Sequence, residues 1–209
     1  MDGKTKISIV LGETGVGKSS FINAITRTNS CQISSMYKTA FCCGWQAISA
    51  NHNGENYIFI DTPGLNDPRG DRQNLAQIKS VIEKYESKIR CILILFKYQD
   101  NRLTRSTLEM LQNIMECFPS PNFWNHVLII RTHSQKNSHD FKYNRNNIEN
   151  AFIEALKDSD LKNYMIKRNI KLPERIHEFY VDCRNDNEWD NREEFERIYS
   201  SIQSFSYIN

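Results

Sequence analysis

The stretch ISIVLGETGVGKSSF, from Ile7 to Phe21, decides the fold of this chain. It begins as a short apolar run typical of a buried strand, continues through a glycine-rich turn and ends in residues that open a helix. The spacing of Gly12, four residues and then Gly17-Lys18-Ser19 matches the P-loop pattern in full. The stretch therefore predicts a loop that binds phosphate groups.

Each residue type in this turn has a chemical role. Glycines lack a Cβ, so the backbone takes positive φ and turns its N–H groups inward around an anion. Lys18 would reach the β- and γ-phosphates, Ser19 would ligate Mg²⁺, and the helix N-terminus would add partial positive charge. The predicted nucleotide-contacting residues of this stretch are Gly12, Glu13, Thr14, Gly15, Val16, Gly17, Lys18, Ser19 and Ser20.

A second motif, DTPG at Asp61–Gly64, follows the P-loop at the end of a predicted strand. Asp61 is suited to hold Mg²⁺ through water, and Gly64 can offer its N–H to a γ-phosphate because no side chain blocks the approach. An Asp before a Pro-Gly turn is elsewhere a plain turn residue. Behind a P-loop, it indicates the phosphate-sensing switch of a nucleoside triphosphatase of the GTPase type.

A switch threonine completes the predicted phosphate site. We assign this role to Thr39, whose hydroxyl and carbonyl would meet Mg²⁺ and the γ-phosphate; Thr28, Ser34 and Ser35 are alternatives. The predicted metal ligands are Ser19, Thr39 and Asp61, and the predicted catalytic residues are Lys18, Thr39 and Gly64.

Strand-like and helix-like patterns alternate along the rest of the chain, with one hairpin near the front. This alternation predicts an α/β fold of three layers, the P-loop NTPase type, with a mostly parallel central sheet, one antiparallel edge strand and helices on both faces. At 209 residues the chain suits one domain over residues 1–209. The hairpin is predicted as strands 41–50 and 57–60 around a turn at 51–54, and a polar loop is predicted at 66–74.

Composition and charge exclude several classes. The chain is 39% hydrophobic and 25% charged with a net charge of +2, which does not indicate a nucleic-acid-coating surface or general disorder. No apolar run reaches the length of a membrane span, and the N-terminus MDGKTK lacks the apolar core of a secretory signal. A cytoplasmic location, with no nucleic-acid partner, is the resulting expectation.

With these motifs in hand, the chain resembles the avirulence-induced-gene (AIG) family of GTPases. That family includes the GTPases of immunity-associated proteins and is related to the chloroplast-envelope Toc GTPases and the septins. The resemblance covers roughly residues 6–205 and rests on GETGVGKSS, DTPGL, Asn101–Thr104 and Arg131–His133. The first two elements are shared by many GTPases, and the last two favour this family.

The guanine-reading residues are implied by this resemblance. The usual Asn-Lys-x-Asp strand end is absent, and Thr132-His133 looks like the Thr-His version of the chloroplast receptors, in which a histidine ring lies against the purine. A lone His at a strand end is otherwise an ordinary surface residue. The family's second base-contacting loop falls after the last strand, where Asn185 is the candidate and Asp182, Asp186 and Asn187 are alternatives.

The resemblance and the motifs together predict a slow, guanine-nucleotide-dependent switch. Leu65 stands where Ras-like enzymes carry the glutamine that orients the attacking water, so we expect slow GTP hydrolysis. Relatives dimerise across their nucleotide faces, which implies a homodimer and makes Arg69, Arg72 and Arg102 candidate partners for phosphate charge, although each taken singly also reads as a solvated loop residue. The family is often tethered to membranes by segments outside the GTPase domain, so peripheral membrane association is also implied.

Two other functions stay open at this point. One is a GTP-dependent, membrane-associated scaffold with negligible hydrolysis. The other is an adenine-nucleotide enzyme, because the usual guanine-reading Asp is missing.

Overall fold

One six-stranded sheet forms the centre of the molecule. The computed structural model of the chain describes residues 5–31, 44–66, 71–85, 88–100, 102–134, 151–172, 174–183 and 191–208. The strands in these ranges are β1 (Lys6–Gly12), β2 (Gln46–His52), β3 (Glu55–Asp61), β4 (Ile89–Lys97), β5 (Val127–Thr132) and β6 (His177–Tyr180). Their order across the sheet is β2-β3-β1-β4-β5-β6.

All neighbouring strands are parallel except the pair at one edge. β1 pairs in parallel with β3 and with β4, and β5 continues the parallel pairing to β6. β2 alone runs antiparallel, as the outer strand of a hairpin with β3. The predicted mostly parallel sheet with one antiparallel edge strand is therefore confirmed. Its parallel strands end at one edge, where open α/β sheets bind ligands.

Helices cover both faces of the sheet, as predicted. The helices are α1 (Lys18–Thr26), α2 (Asp71–Lys84), α3 (Arg105–Cys117), α4 (residues 151–157), α5 (Leu161–Lys167) and α6 (Arg192–Ser204). Side chains of α2 to α5 join one apolar core, which includes Ile78, Met110 and Phe152. Side chains of α1 and α6 join a second core, which includes Phe21 and Ile198. The sheet separates the two cores and makes the fold three-layered.

The sequence explains why these elements form. Every residue of β1, and every residue of β4 from Cys91 to Phe96, is buried, because helices cover both faces of the central strands. α3 begins after Thr104, whose hydroxyl accepts a hydrogen bond from the N–H of Thr107 at 3.2 Å. The apolar spacing of Met110, Ile114 and their neighbours then turns one helical face inward.

The predicted bounds of the hairpin and of the polar loop at 66–74 are wrong. The hairpin turn is the two-residue pair Asn53-Gly54, with φ of 50° and 80°, not the four residues 51–54, because His52 and Glu55 still pair as strand residues. The loop predicted at 66–74 ends earlier, because α2 already begins at Asp71 with a polar first turn. The first hairpin strand starts later than predicted, because β2 begins at Gln46 and the described residues 44 and 45 are not in the strand; residues 41–43 lie outside the described residues.

In the described part of the chain, no helix combines the length and the apolar character needed to cross a membrane.

Candidate phosphate and base site

The P-loop wraps its backbone around the ammonium group of Lys18, the first residue of α1. Lys18 Nζ donates to the carbonyl oxygens of Gly12 at 3.2 Å and Glu13 at 3.0 Å, and the residue is only 7% exposed. Gly15 and Gly17 have φ of 78° and 95°, the left-handed backbone that turns N–H groups inward. Apart from its chain neighbours, no described atom lies within 4 Å of a Cβ placed on Gly15, so the loop is uncovered at this residue.

The pKa of Lys18 reflects this position. Burial lowers it from 10.5 to about 8, while the negative charges of Asp61 and Glu13 act in the opposite direction. A lysine held in this way gains from a polyphosphate, because the added negative charge favours its protonated form.

Ser19 and Asp61 form the second part of the site. Ser19 Oγ donates to Asp61 Oδ2 at 2.7 Å, and this bond links the start of α1 to the end of β3. Asp61 Oδ1 is buried, and it has no hydrogen-bond partner among the described residues. A buried carboxylate oxygen without a partner, beside a serine hydroxyl, is a donor set suited to a hard divalent cation such as Mg²⁺.

The DTPGL turn lies directly on the P-loop. The N–H of Leu65 donates to Gly12 O at 3.1 Å, and the N–H of Thr14 donates to Leu65 O at 3.2 Å. A Cβ added to Gly64 would stand 2.1 Å from Thr14 Oγ1 and 2.5 Å from Thr14 Cα, so only glycine allows this close approach. The structure therefore brings Gly64 to the rim of the P-loop.

Sequence reasoning missed the side chains that fasten this turn. Asn66 Nδ2 lies 2.9 Å from Glu13 Oε1 and 2.8 Å from Ser106 Oγ, and Asn74 Nδ2 donates to Gly64 O at 2.7 Å. Asn66 has φ of 59°, a left-handed conformation in which asparagine is enriched. The one available signal is an asparagine directly after DTPGL, which in the sequence alone indicates only a polar loop.

The end of β5 forms the opposite side of the P-loop. Thr132 Oγ1 donates to Val16 O at 2.7 Å, which ties the loop to the sheet. His133 is exposed, and a Cβ placed on Gly17 would lie 3.7 Å from its Nε2. Thr132 and His133 therefore stand beside the P-loop, with the imidazole next to the start of α1.

Arg131 has a different role from its two neighbours. It is buried and ion-paired, with Nε 3.1 Å from Glu178 Oε2, and it donates from Nη1 to the carbonyl oxygen of Asp100 at 3.1 Å. The Arg131-Thr132-His133 element therefore divides into one residue that supports the sheet and two residues that face the P-loop.

The remaining predicted residues differ in how far the structure describes them. The hydroxyl oxygens of Thr28 and Thr26 are hydrogen-bonded at 2.9 Å. Asp182 is buried, and its N–H donates to Asn191 Oδ1. Arg72 and Arg102 are exposed, and Arg102 lines a cleft of about 580 Å³ that also borders Glu13. Thr39, Asn185, Ser34, Ser35, Asp186, Asn187 and Arg69 lie outside the described residues.

A comparison with protein families agrees with this geometry. A family model described as 50S ribosome-binding GTPase matches residues 7–130, more than half of the chain. The chain belongs to this GTPase family. The matched region of this GTPase contains the P-loop, the DTPGL turn and the central strands of the sheet.

Curated relatives of this GTPase are components of chloroplast translocons. Translocase of chloroplast 125 of Physcomitrium patens is 29% identical over 130 residues, which are 61% of this chain and 11% of that protein. Translocase of chloroplast 90 of Arabidopsis thaliana is 31% identical over 134 residues, 60% of this chain and 16% of that protein. The chain therefore matches less than a fifth of the length of these relatives.

Solved structures share the fold over most of this GTPase. Toc33 from Arabidopsis thaliana, crystallised in complex with GDP and Mg²⁺, has a TM-score of 0.73 at 16% identity and covers 100% of this chain and 89% of that one. A structure of the translocon components atToc33 and psToc159 has a TM-score of 0.72 at 17% identity, covering 96% of this chain and 82% of that one. Era, in complex with MgGDPNP and nucleotides 1506-1542 of 16S ribosomal RNA, has a TM-score of 0.63 at 17% identity, covering 97% of this chain and 57% of that one.

The relatives correct one prediction. The expected cytoplasmic location is contradicted, because translocase of chloroplast 125 and translocase of chloroplast 90 are both named as chloroplastic proteins.

Proposed function

We propose that this chain is a single AIG-type GTPase domain, over residues 1–209, that acts as a guanine-nucleotide switch. It binds GTP and GDP with Mg²⁺ and hydrolyses GTP slowly, and nucleotide-dependent dimerisation regulates it. The observation that carries the proposal is the P-loop backbone around a buried Lys18, with Ser19 Oγ and Asp61 Oδ2 2.7 Å apart beside it.

The phosphate groups are held by the P-loop. Its left-handed backbone at Gly15 and Gly17 and the start of α1 would attract negative charge, and Lys18 would supply a full positive charge. Burial disfavours the charged form of Lys18 in the free protein. The negative charge of a bound polyphosphate would therefore offset the free-energy cost of burying this ammonium group. Gly12 to Ser20 therefore form the phosphate side of the site.

Ser19 and Asp61 would hold the magnesium ion, and the switch threonine Thr39 would add to them in the nucleotide-bound form. The orphan Oδ1 of Asp61 supports this assignment, because a buried carboxylate oxygen needs a partner. When bound, Mg²⁺ neutralises charge on the β- and γ-phosphate oxygens.

The base side is formed by Thr132 and His133, with Asn185 at the guanine edge. The position of His133 beside Gly17 supports a stacking role, because an imidazole face can cover a purine as other aromatic rings do. The GDP and GMPPNP complexes of Toc33 support guanine over adenine.

Slow hydrolysis follows from Leu65. Its side chain is 1% exposed, and its N–H and carbonyl both bond the P-loop, so neither part of the residue is free to orient a water molecule. The group that orients the water would come from a second copy of the chain. The structure of atToc33 and psToc159, for which dimerization is described as important for GTPase activity, supports this interpretation. Arg72 and Arg102 are exposed candidates for that contribution, and Arg69, which lies outside the described residues, is a third.

Nucleotide titration tests the proposal. We expect wild-type protein to bind GDP and GMPPNP in the presence of Mg²⁺, with ATP unable to displace them at matched concentration. Lys18→Ala should lose about tenfold to a hundredfold in affinity, as expected when a charged hydrogen-bond donor is removed. Lys162→Ala, an exposed lysine on α5, is the matched control and should bind as the wild type does.

Full affinity for guanine nucleotides in Lys18→Ala would overturn the proposal. Displacement of GDP by ATP would instead favour an adenine-nucleotide enzyme.

A further inference from the structure

Asn66 lies where three parts of the molecule meet. It directly follows the DTPGL turn. Its Nδ2 is 2.9 Å from Glu13 Oε1 in the P-loop, 2.9 Å from Ser106 O in α3 and 2.8 Å from Ser106 Oγ. An amide nitrogen carries two hydrogens, so Asn66 satisfies two of these three acceptors at once. We call Glu13, Asn66 and Ser106 the Asn66 clasp.

Glu13 joins this clasp to the phosphate-binding lysine. Its side chain accepts from Asn66, and its own carbonyl oxygen accepts from Lys18 Nζ at 3.0 Å. Ser106 Oγ lies 3.4 Å from the same Glu13 Oε1. One P-loop residue therefore holds both the lysine that binds phosphate and the turn that carries Gly64.

The clasp fastens the turn at the rim of the P-loop. Backbone bonds that join Leu65 to Gly12 and to Thr14 hold the same rim, and Gly64 lies directly against Thr14. Side-chain and backbone contacts together therefore set the position of Gly64.

We propose that Asn66 is a positioning residue for recognition of the terminal phosphate of GTP. Through Glu13 and Ser106 it fixes the DTPGL turn so that Gly64 stays at the P-loop rim, in place to meet a γ-phosphate. A turn that is already ordered loses less conformational entropy on binding, so the clasp favours GTP over GDP. This inference rests on the proposed guanine-nucleotide function and identifies which side chain sets the preference.

The test compares two asparagines with the same backbone conformation. Asn66→Gly removes the clasp without backbone strain, because glycine readily adopts the φ of 59°. Asn169→Gly is the matched control, since Asn169 is exposed with φ of 56°. Affinities for GDP and for the non-hydrolysable analogue GMPPNP are measured for both variants and the wild type.

We expect Asn66→Gly to bind GMPPNP about tenfold more weakly than the wild type and GDP within about twofold of it, the loss expected for a hydrogen bond to a charged group. Asn169→Gly should change neither affinity. An equal loss for both nucleotides, no loss, or tighter binding of GMPPNP would overturn the inference while leaving the proposed function intact. A wild type that binds neither nucleotide would overturn both.

Exchanging the amide of Asn66 and the carboxylate of Glu13 provides a second test of their contact. Asn66→Asp places a carboxylate against Glu13, so it should weaken GMPPNP binding at least as much as Asn66→Gly. Adding Glu13→Gln restores an amide opposite a carboxylate, and we expect the double variant to recover part of the GMPPNP affinity. Independent losses that simply add in the double variant would contradict a direct contact between the two side chains.

Discussion

Lys18 makes nucleotide binding depend on pH. Burial lowers the pKa of this lysine to about 8, whereas the unfolded chain keeps its ordinary value of 10.5. Between these values the folded state binds fewer protons than the unfolded one, so the cost of burying the charge disappears as the pH rises. Above pH 8 the free protein must then take up a proton to bind a polyphosphate. We expect GDP affinity to fall by up to about tenfold per pH unit there.

Lys18→Arg provides the comparison for this measurement. A guanidinium stays charged throughout this range, so the variant should show a shallower pH dependence even if its affinity is lower. The guanine base itself loses a proton in alkaline solution and affects both proteins equally. Parallel pH curves for the two proteins would assign the whole effect to the base and remove Lys18 as its source.

His133 carries the prediction for the base. Its backbone φ of 55° is left-handed, which asparagine also tolerates, so His133→Asn removes the ring without a new backbone demand. We expect this variant to bind GDP about tenfold more weakly, as stacking contacts usually contribute about 1–3 kcal/mol, while pyrophosphate affinity stays unchanged. His133→Phe should retain most of the GDP affinity. A loss for pyrophosphate as large as that for GDP would mean that His133 acts on the P-loop instead.

A buried ion pair links β5 and β6 in addition to their parallel pairing. Arg131 and Glu178 are almost fully buried, and Arg131 also holds the carbonyl of Asp100 in the segment after β4. Arg131→Met removes the cation beside the buried Glu178 carboxylate, so the free energy of unfolding should fall by about 3–5 kcal/mol in urea titrations. The exposed pair Arg105–Glu109 is the control, and Arg105→Ala should cost less than about 1 kcal/mol. Equal small losses would show that Arg131 is not a structural centre of this edge.

The core strands and most helices were predictable because burial leaves a direct trace in the sequence. β1 and β4 are covered on both faces, so their apolar runs have the length and content of buried strands. The hairpin boundaries were harder to predict. His52 and Glu55 are polar residues that pair at the end of the hairpin, so the sequence there does not alternate between apolar and polar residues. α2 likewise begins in a polar turn, where charge and amide groups resemble a loop.

The site residues were predictable only where they belong to a short sequence motif. Lys18, Ser19 and Asp61 come from patterns with fixed chemistry, and the structure brings them together. The Asn66 clasp joins residues separated by 53 and 40 positions, so no local pattern encodes it. The division of labour between Arg131 and His133 depends on which side of the strand end each residue faces, which a three-residue motif does not show.

The molecule as a whole is predicted to change its association with the bound nucleotide. Analytical ultracentrifugation should give the mass of one chain with GDP and of two chains with GMPPNP at high concentration. Hydrolysis per molecule should rise with protein concentration if, as proposed, a second copy supplies the group that Leu65 lacks. Equal masses in both states would contradict regulation by dimerisation. A flat hydrolysis rate near zero would favour the membrane-associated scaffold.

The bond between Thr132 and Val16 has a consequence for how a ligand leaves. It joins the P-loop to β5, so the P-loop and the proposed base-binding residues Thr132 and His133 are fastened together. The opposite wall is the DTPGL turn, which side-chain contacts and two backbone bonds attach to the rim. A factor that accelerates nucleotide exchange would therefore displace the DTPGL turn and leave the contact between the P-loop and β5 intact.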